Sequence, residues 1–208
     1  MRAGLFIPFG SLWARCTNCN ATSTDPFDSF QGVPWRDYAS AGPMFELDAG
    51  ARLARNYSVF ALWEHAELGG GKGDPNSDIG GSGSKASHGD TDFWGVGIRA
   101  TSDADRVGFV TELAVGYRRA RSKWDDGTQL QLTDAPFEAR LGLGADIRVN
   151  RCVSLSPMLT LGVGSFQKIE SVSNHAVMDQ TTASDQADGH AWATLTFGGY
   201  FDLFGSRR

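Results

Sequence analysis

PFEARLGLGADIRV, running from Pro136 to Val149, decides the fold. Phe137, Ala139, Leu141, Leu143, Ala145, Ile147 and Val149 alternate with Glu138, Arg140, Gly142, Gly144, Asp146 and Arg148. Successive side chains of a β-strand point to opposite faces. The segment therefore predicts a strand with one continuously apolar side and one charged side. A soluble sheet can turn that apolar side toward a core, whereas a membrane barrel turns it toward lipid. The connections between strands distinguish the two.

Outward from this stretch, the same period-two pattern predicts eight strands, at about Gly4–Ala14, Pro43–Leu53, Tyr57–Leu68, Asp92–Thr101, Val107–Arg118, Phe137–Val149, Val153–Phe166 and Ala191–Leu203. Pro8 and Gly10 blur the first, as suits an edge or a bulge. Three connections have hairpin length and turn chemistry: Ala54–Asn56, Ser102–Arg106 and Asn150–Cys152. The other four are long and rich in Gly, Ser, Asp, Asn and Thr, covering 15–42, 69–91, 119–136 and 167–190. Short turns at one end and long polar loops at the other, alternating over an even number of strands, are the pattern of an outer-membrane barrel. The fold expected is all-β: one eight-stranded antiparallel up-and-down transmembrane barrel, residues 1–208.

Composition agrees with a membrane barrel without requiring one. The chain has 208 residues, 26 glycines and a net charge of -5. No basic stripe is present to neutralise phosphates, so no nucleic-acid partner is expected. No apolar run is long enough for a transmembrane helix. A barrel strand crosses in roughly 9–11 residues with only alternate ones apolar, so barrel strands escape that test. The N-terminal MRAGLFIPFGSLWARC lacks an A-x-A-like cleavage site after an apolar segment. Either a secretory leader has been removed already or the protein is not secreted; an outer-membrane location presumes the former.

With the apolar residues facing lipid, the alternation assigns the barrel interior. Phe45, Leu47, Phe109, Leu113, Trp94 and Ile98 face outward, and Trp192, Thr194, Thr196 and Tyr200 face inward. The third strand is ambiguous, because Val59, Ala61 and Trp63 and also Phe60 and Leu62 are apolar. The interior charges expected are Arg52, Arg99, Arg118, Arg140 and Arg148 against Glu46, Asp48, Glu112, Glu138, Asp146 and Asp202. Charges taken out of water must pair or stay wet, and eight strands enclose room for side chains rather than a channel. The balance points to a closed, charge-filled lumen. A narrow gated pore lined by the same residues is the alternative. Trp13, Trp63, Trp94, Tyr117 and Trp124 near the loop ends, with Tyr57 and Phe201 near the turns, are expected to form aromatic girdles.

The pattern, with phrases such as LGLGADIRVNRCVSLSPMLTLGVGSF, resembles the small eight-stranded outer-membrane barrels that include OmpA and OmpX. The resemblance implies a location in the outer membrane of a Gram-negative bacterium, with the short turns in the periplasm. It also implies contact with outer-membrane lipid and lipopolysaccharide, assembly by the barrel-insertion machinery, and a structural or surface-binding role through the loops, with an extracellular or envelope protein as a further partner. A terminal insertion signal is matched by Leu195, Phe197, Phe201 and Leu203, with Phe204 as the terminal aromatic.

Other chemistry is sparse. Cys16 and Cys19 form a C-x-x-C, for which a local disulfide is preferred over redox or zinc chemistry. Cys152 is expected to be free. No metal or cofactor is expected, since no second ligand pair completes a zinc site. GGGKGDPNSDIGG fits neither a P-loop nor the calcium nonapeptide. His88 with Asp90 and Asp92, and His175 and His190 with Asp179, Asp185 and Asp188, invite comparison with lipid-modifying enzymes that act at a barrel rim, but no nucleophile motif accompanies them. The expectation is no catalytic residue and no enzyme. A soluble lipocalin-like carrier is a further alternative; it requires the apolar face inward, with Glu138, Arg140, Asp146 and Arg148 outside.

Overall fold

A computed structural model describes residues 1–16, 30–35, 38–71, 86–102, 107–125, 127, 129–134, 137–150, 152–173, 176–181 and 189–201. The described residues form twelve strands: β1 (Arg2–Cys16), β2 (Phe30–Pro34), β3 (Ala39–Ser40), β4 (Gly42–Ala54), β5 (Tyr57–Gly70), β6 (Ala86–Thr101), β7 (Val107–Trp124), β8 (Gln129–Asp134), β9 (Glu138–Arg148), β10 (Val153–Ser173), β11 (Ala176–Thr181) and β12 (Gly189–Phe201). Eight of them are staves. β1 pairs with β4, and the antiparallel pairing continues through β5, β6, β7, β9, β10 and β12. β12 returns to β1 over Arg2–Gly10 and closes the barrel. The eight-stranded antiparallel barrel expected from the alternation is the fold of the chain.

The short turns are held by the chemistry their sequences supply. The Asn150 side chain accepts hydrogen bonds from the Cys152 and Val153 amides at 2.8 and 2.9 Å, an Asx turn that replaces missing ladder bonds. The Asn56 amide donates to the Thr101 and Ser102 carbonyls at 2.6 and 3.1 Å, lacing two turns together.

The long-loop end departs from expectation. Parts of the segments expected as loops are strand: β6 begins at Ala86, β7 continues to Trp124 and β10 to Ser173, and β2, β3, β8 and β11 are additional. β8 lies between the upper halves of β7 and β10, and β11 pairs with β10. The physical reason is backbone satisfaction: staves of unequal length leave unpaired edges, and short return strands cover them.

The faces follow the alternation, and they invert a soluble barrel. Val96, Ile98, Phe109, Leu113, Phe137 and Leu195 are among the exposed outer residues, while Glu64, Arg118 and Glu138 inside are fully buried. The carrier alternative needed Glu138 and Arg140 outside, and both are buried. The ambiguous third stave resolves, with Phe60 and Leu62 buried against Phe93 and Ala114 in the lumen and Ala61 outside.

Along the outer wall, hydrogen-bonding register defines rows. Leu47, Trp63, Trp94 and Tyr117 stand side by side on β4 to β7. The next row toward the long-loop end is Phe45, His65, Asp92 and Arg119, and the one beyond it holds Glu67, Asp90 and Arg121. Apolar wall changes to charge in one step on three neighbouring strands.

The lumen charge network as candidate functional site

The lumen is filled in three layers. Nearest the short turns, Arg2 on β1, Asp48 on β4, Arg99 on β6 and Glu112 on β7 converge. Arg2 Nη2 donates to both Glu112 oxygens at 2.7 and 2.9 Å. Arg99 Nε donates to Glu112 and Arg99 Nη2 to Asp48, and the Arg99 guanidinium lies 4.1 Å from the Tyr200 ring centroid.

The middle layer is the most enclosed. Arg118 Nε donates to Glu138 Oε2 at 2.6 Å, Nη2 to Glu138 Oε1 at 3.0 Å and Glu64 Oε1 at 2.8 Å, and Nη1 to Thr91 Oγ1 at 3.0 Å. Arg140 Nη2 donates to Glu64 Oε2 at 2.7 Å and Glu46 Oε2 at 3.1 Å. Both guanidiniums also face the Trp192 ring, at 4.6 and 4.8 Å. Burying charges costs several kcal/mol per ion, which close pairing of this kind offsets. Arg140 Nη1 is buried without a hydrogen-bond partner. An adjoining cavity of about 10 Å³, lined in part by Glu46, Glu112, Arg140 and Thr160, has room for roughly one water molecule.

An aromatic layer closes the long-loop end. Trp35, in the segment between β2 and β3, is 1% exposed and packs against Phe6, Phe166 and His190. His190 stacks on Phe166 at 4.0 Å and contacts Glu138 Oε2 through Nε2 at 3.3 Å. Tyr38 packs edge-on to Trp124, and its carbonyl accepts a bond from the Ser122 hydroxyl at 2.9 Å.

Of the interior charges expected, Glu46, Asp48, Arg99, Glu112, Arg118, Glu138 and Arg140 come together in this network. Arg52 is exposed at the short-turn rim, with Asp146 and Arg148 half-exposed nearby. The barrel interior opens to solvent there, so alternation alone overestimates burial of the last turn. Asp202 lies outside the described residues, as does Cys19. Cys152 is exposed and free. Trp124, expected in a girdle, is buried inside the mouth because β7 continues in phase and puts even-numbered residues inward.

Three members were missed. Arg2 precedes the first expected strand, Glu64 sits in the ambiguous one, and His190 was assigned to a loop. Extending the period-two phase back from Phe6 finds Arg2, and extending it forward from Leu62 finds Glu64.

A second charged group lies outside the barrel, beyond the apolar rows. His65 Nδ1 is 2.9 Å from Asp92 Oδ1; Arg119 and Arg121 each donate to Asp92 Oδ2 at 3.2 Å, and Arg121 Nε donates to Asp90 at 2.7 Å. Among the described residues no group of three or more His, Cys, Asp or Glu side chains is placed to hold a metal ion.

No family model matches the chain, and no curated protein matches it. Among solved structures it is similar to the outer membrane protease OmpT from Escherichia coli, with a TM-score of 0.45 and 10% sequence identity. The match covers 79% of this chain and spans 65% of the length of that one. One expectation is corrected here: the sequence reading took the chain not to be an enzyme, the similar structure is a protease, and that exclusion is withdrawn.

Proposed function

We infer that this chain is an integral outer-membrane barrel of a Gram-negative bacterium. In this reading the short turns face the periplasm, the lumen is sealed, and the strand extensions and loops at the other end act as a structural or surface-binding platform. It has the character of the OmpA and OmpX barrels, in contact with outer-membrane lipid and lipopolysaccharide, delivered by the barrel-insertion machinery and open to an extracellular or envelope protein partner. The observation that carries the reading is the outer wall. Soluble monomers rarely expose an apolar patch larger than a few hundred Å², yet Leu5, Ile7, Val96, Ile98, Leu113 and Leu161 belong to an exposed apolar belt on successive staves. An ion-paired interior and an apolar exterior are what a hydrocarbon solvent selects.

Folding with and without detergent micelles tests this. The expected result is a compact species, formed only with detergent, that migrates differently on a gel before and after boiling. A monodisperse monomer folded in plain buffer would overturn it.

A further inference from the structure

We propose that Arg2 is a register pin: its bond to Glu112 across the lumen selects the one alignment in which the first and last staves close the barrel. The proposal rests on the closed ring of strands alone and holds whatever surrounds the outer wall.

The closing seam between β1 and β12 lacks the devices that align the others. Consecutive staves are joined by connections, and a short turn fixes the register of the pair that it joins; β1 and β12 are the first and last strands. Bulges also pin register, and those at Arg52/Ala54 and Ala86/His88 mark other seams. The pairing from Arg2↔Gly198 to Gly10↔His190 runs without a shift. A slip of β1 by two residues toward the short turns keeps every side chain on its own face. On the outer wall it sets Leu5 opposite Phe197, Ile7 opposite Leu195 and Phe9 opposite Ala193, apolar against apolar as before. Inside, it sets Pro8 opposite Thr194 and Gly10 opposite Trp192, which displaces no charge. The opposite slip brings Phe6 directly against Trp192, and these rings are already stacked at 5.2 Å, so lumen packing opposes it.

Arg2 is what the tolerated slip displaces. It is 2% exposed, and β7, which carries Glu112, is four staves from β1 in a ring of eight. The side chain therefore reaches the opposite wall. Its Nη2 lies 2.7 and 2.9 Å from the two Glu112 oxygens and 3.4 Å from both Asp48 and Glu46, while Nε is buried with no hydrogen-bond partner among the described residues. A two-residue slip carries Arg2 about 7 Å along the strand, to the level of Tyr200 at the short-turn rim. Glu112 then keeps Arg99 and loses its second cation. A buried ion pair of this kind penalises the alignments that strand its charges, even where its net contribution to stability is small.

The test reads the alignment by disulfide formation in the full chain folded in micelles, in a Cys16→Ser/Cys19→Ser/Cys152→Ser background. Ile7→Cys/Ala193→Cys reports the native alignment and Ile7→Cys/Leu195→Cys the slipped one, all three positions lying on the outer wall. With Arg2 present the first pair should oxidise and the second stay largely reduced. Arg2→Met should raise the slipped disulfide relative to the native one by about tenfold or more. Glu112→Gln should raise it by a smaller factor, because Asp48 and Glu46 still hold the guanidinium, and Arg2→Lys should keep the native alignment. Each variant is first shown to be folded by its unheated gel mobility; if Arg2→Met does not fold, Glu112→Gln decides. No rise of the slipped product in either variant, or equal yields of the two disulfides with Arg2 present, would overturn the pin while leaving the barrel intact.

Discussion

Replacing Arg118 by methionine removes the most enclosed cation of the lumen while preserving much of its volume. The side chain is fully buried and makes four hydrogen bonds, to Glu138, Glu64 and Thr91. Without it Glu138 keeps His190 Nε2 at 3.3 Å and Glu64 keeps Arg140 Nη2 at 2.7 Å. Removing one partner of a buried ion pair typically costs about 3–5 kcal/mol. Because each carboxylate retains one cationic or ionisable partner, the lower half of that range applies, about 3–4 kcal/mol. That is a few hundredfold in the ratio of folded to unfolded chain. The assay is urea unfolding in micelles, followed by loss of the compact gel species and by circular dichroism. Arg121→Gln, on the exposed wall, is the comparison and should lose about 1 kcal/mol or less. Adding Glu138→Gln to Arg118→Met should restore part of the loss, because it removes a stranded charge. If Arg118→Met costs no more than Arg121→Gln, the lumen is wet enough to solvate its charges and the argument from buried pairing is wrong.

Two other outcomes are expected. Gly162→Ala should destabilise by about 1–3 kcal/mol, because its added carbon would stand 2.1 Å from the Trp192 ring, which Phe6 and the Arg118 and Arg140 guanidiniums hold in place; unfolding midpoints decide it. In a planar bilayer the chain should give no unit conductance, before or after Arg140→Ala, since paired charges and aromatic rings fill the described lumen; steps that change with the substitution would reinstate the pore.

The barrel was legible because its physics is local. Alternation in stretches such as 136–149 assigns faces residue by residue, and the length of each connection tells which strand ends meet. Glu138 and Arg140 could be placed inside from their phase with Phe137 and Leu141 alone. The same reasoning stopped at the third stave, where Phe60 and Leu62 satisfy the apolar pattern as well as Ala61 and Trp63 do. Their burial against Phe93 and Ala114 is a contact of β5 with the adjacent β6 and, across the lumen wall, with β7 beyond it, that one strand's period does not contain.

Period two thus determined which side chains point inward, and turn chemistry determined antiparallel order, because both depend on neighbours along the chain. Tertiary structure alone decided who pairs with whom. Arg2 reaches Glu112 across 110 positions of sequence and Arg140 reaches Glu46 across 94, distances set by closure of β12 onto β1 and by the stagger of the staves. It also decided that Trp35 and Tyr38 fill the barrel mouth and that Asp90 and Asp92 lie beneath Arg121 and Arg119. Filling the mouth requires the closed ring of strands, because only closure brings segments distant in sequence around one interior, whereas the Asp–Arg stacking follows from the register of the neighbouring strands β6 and β7.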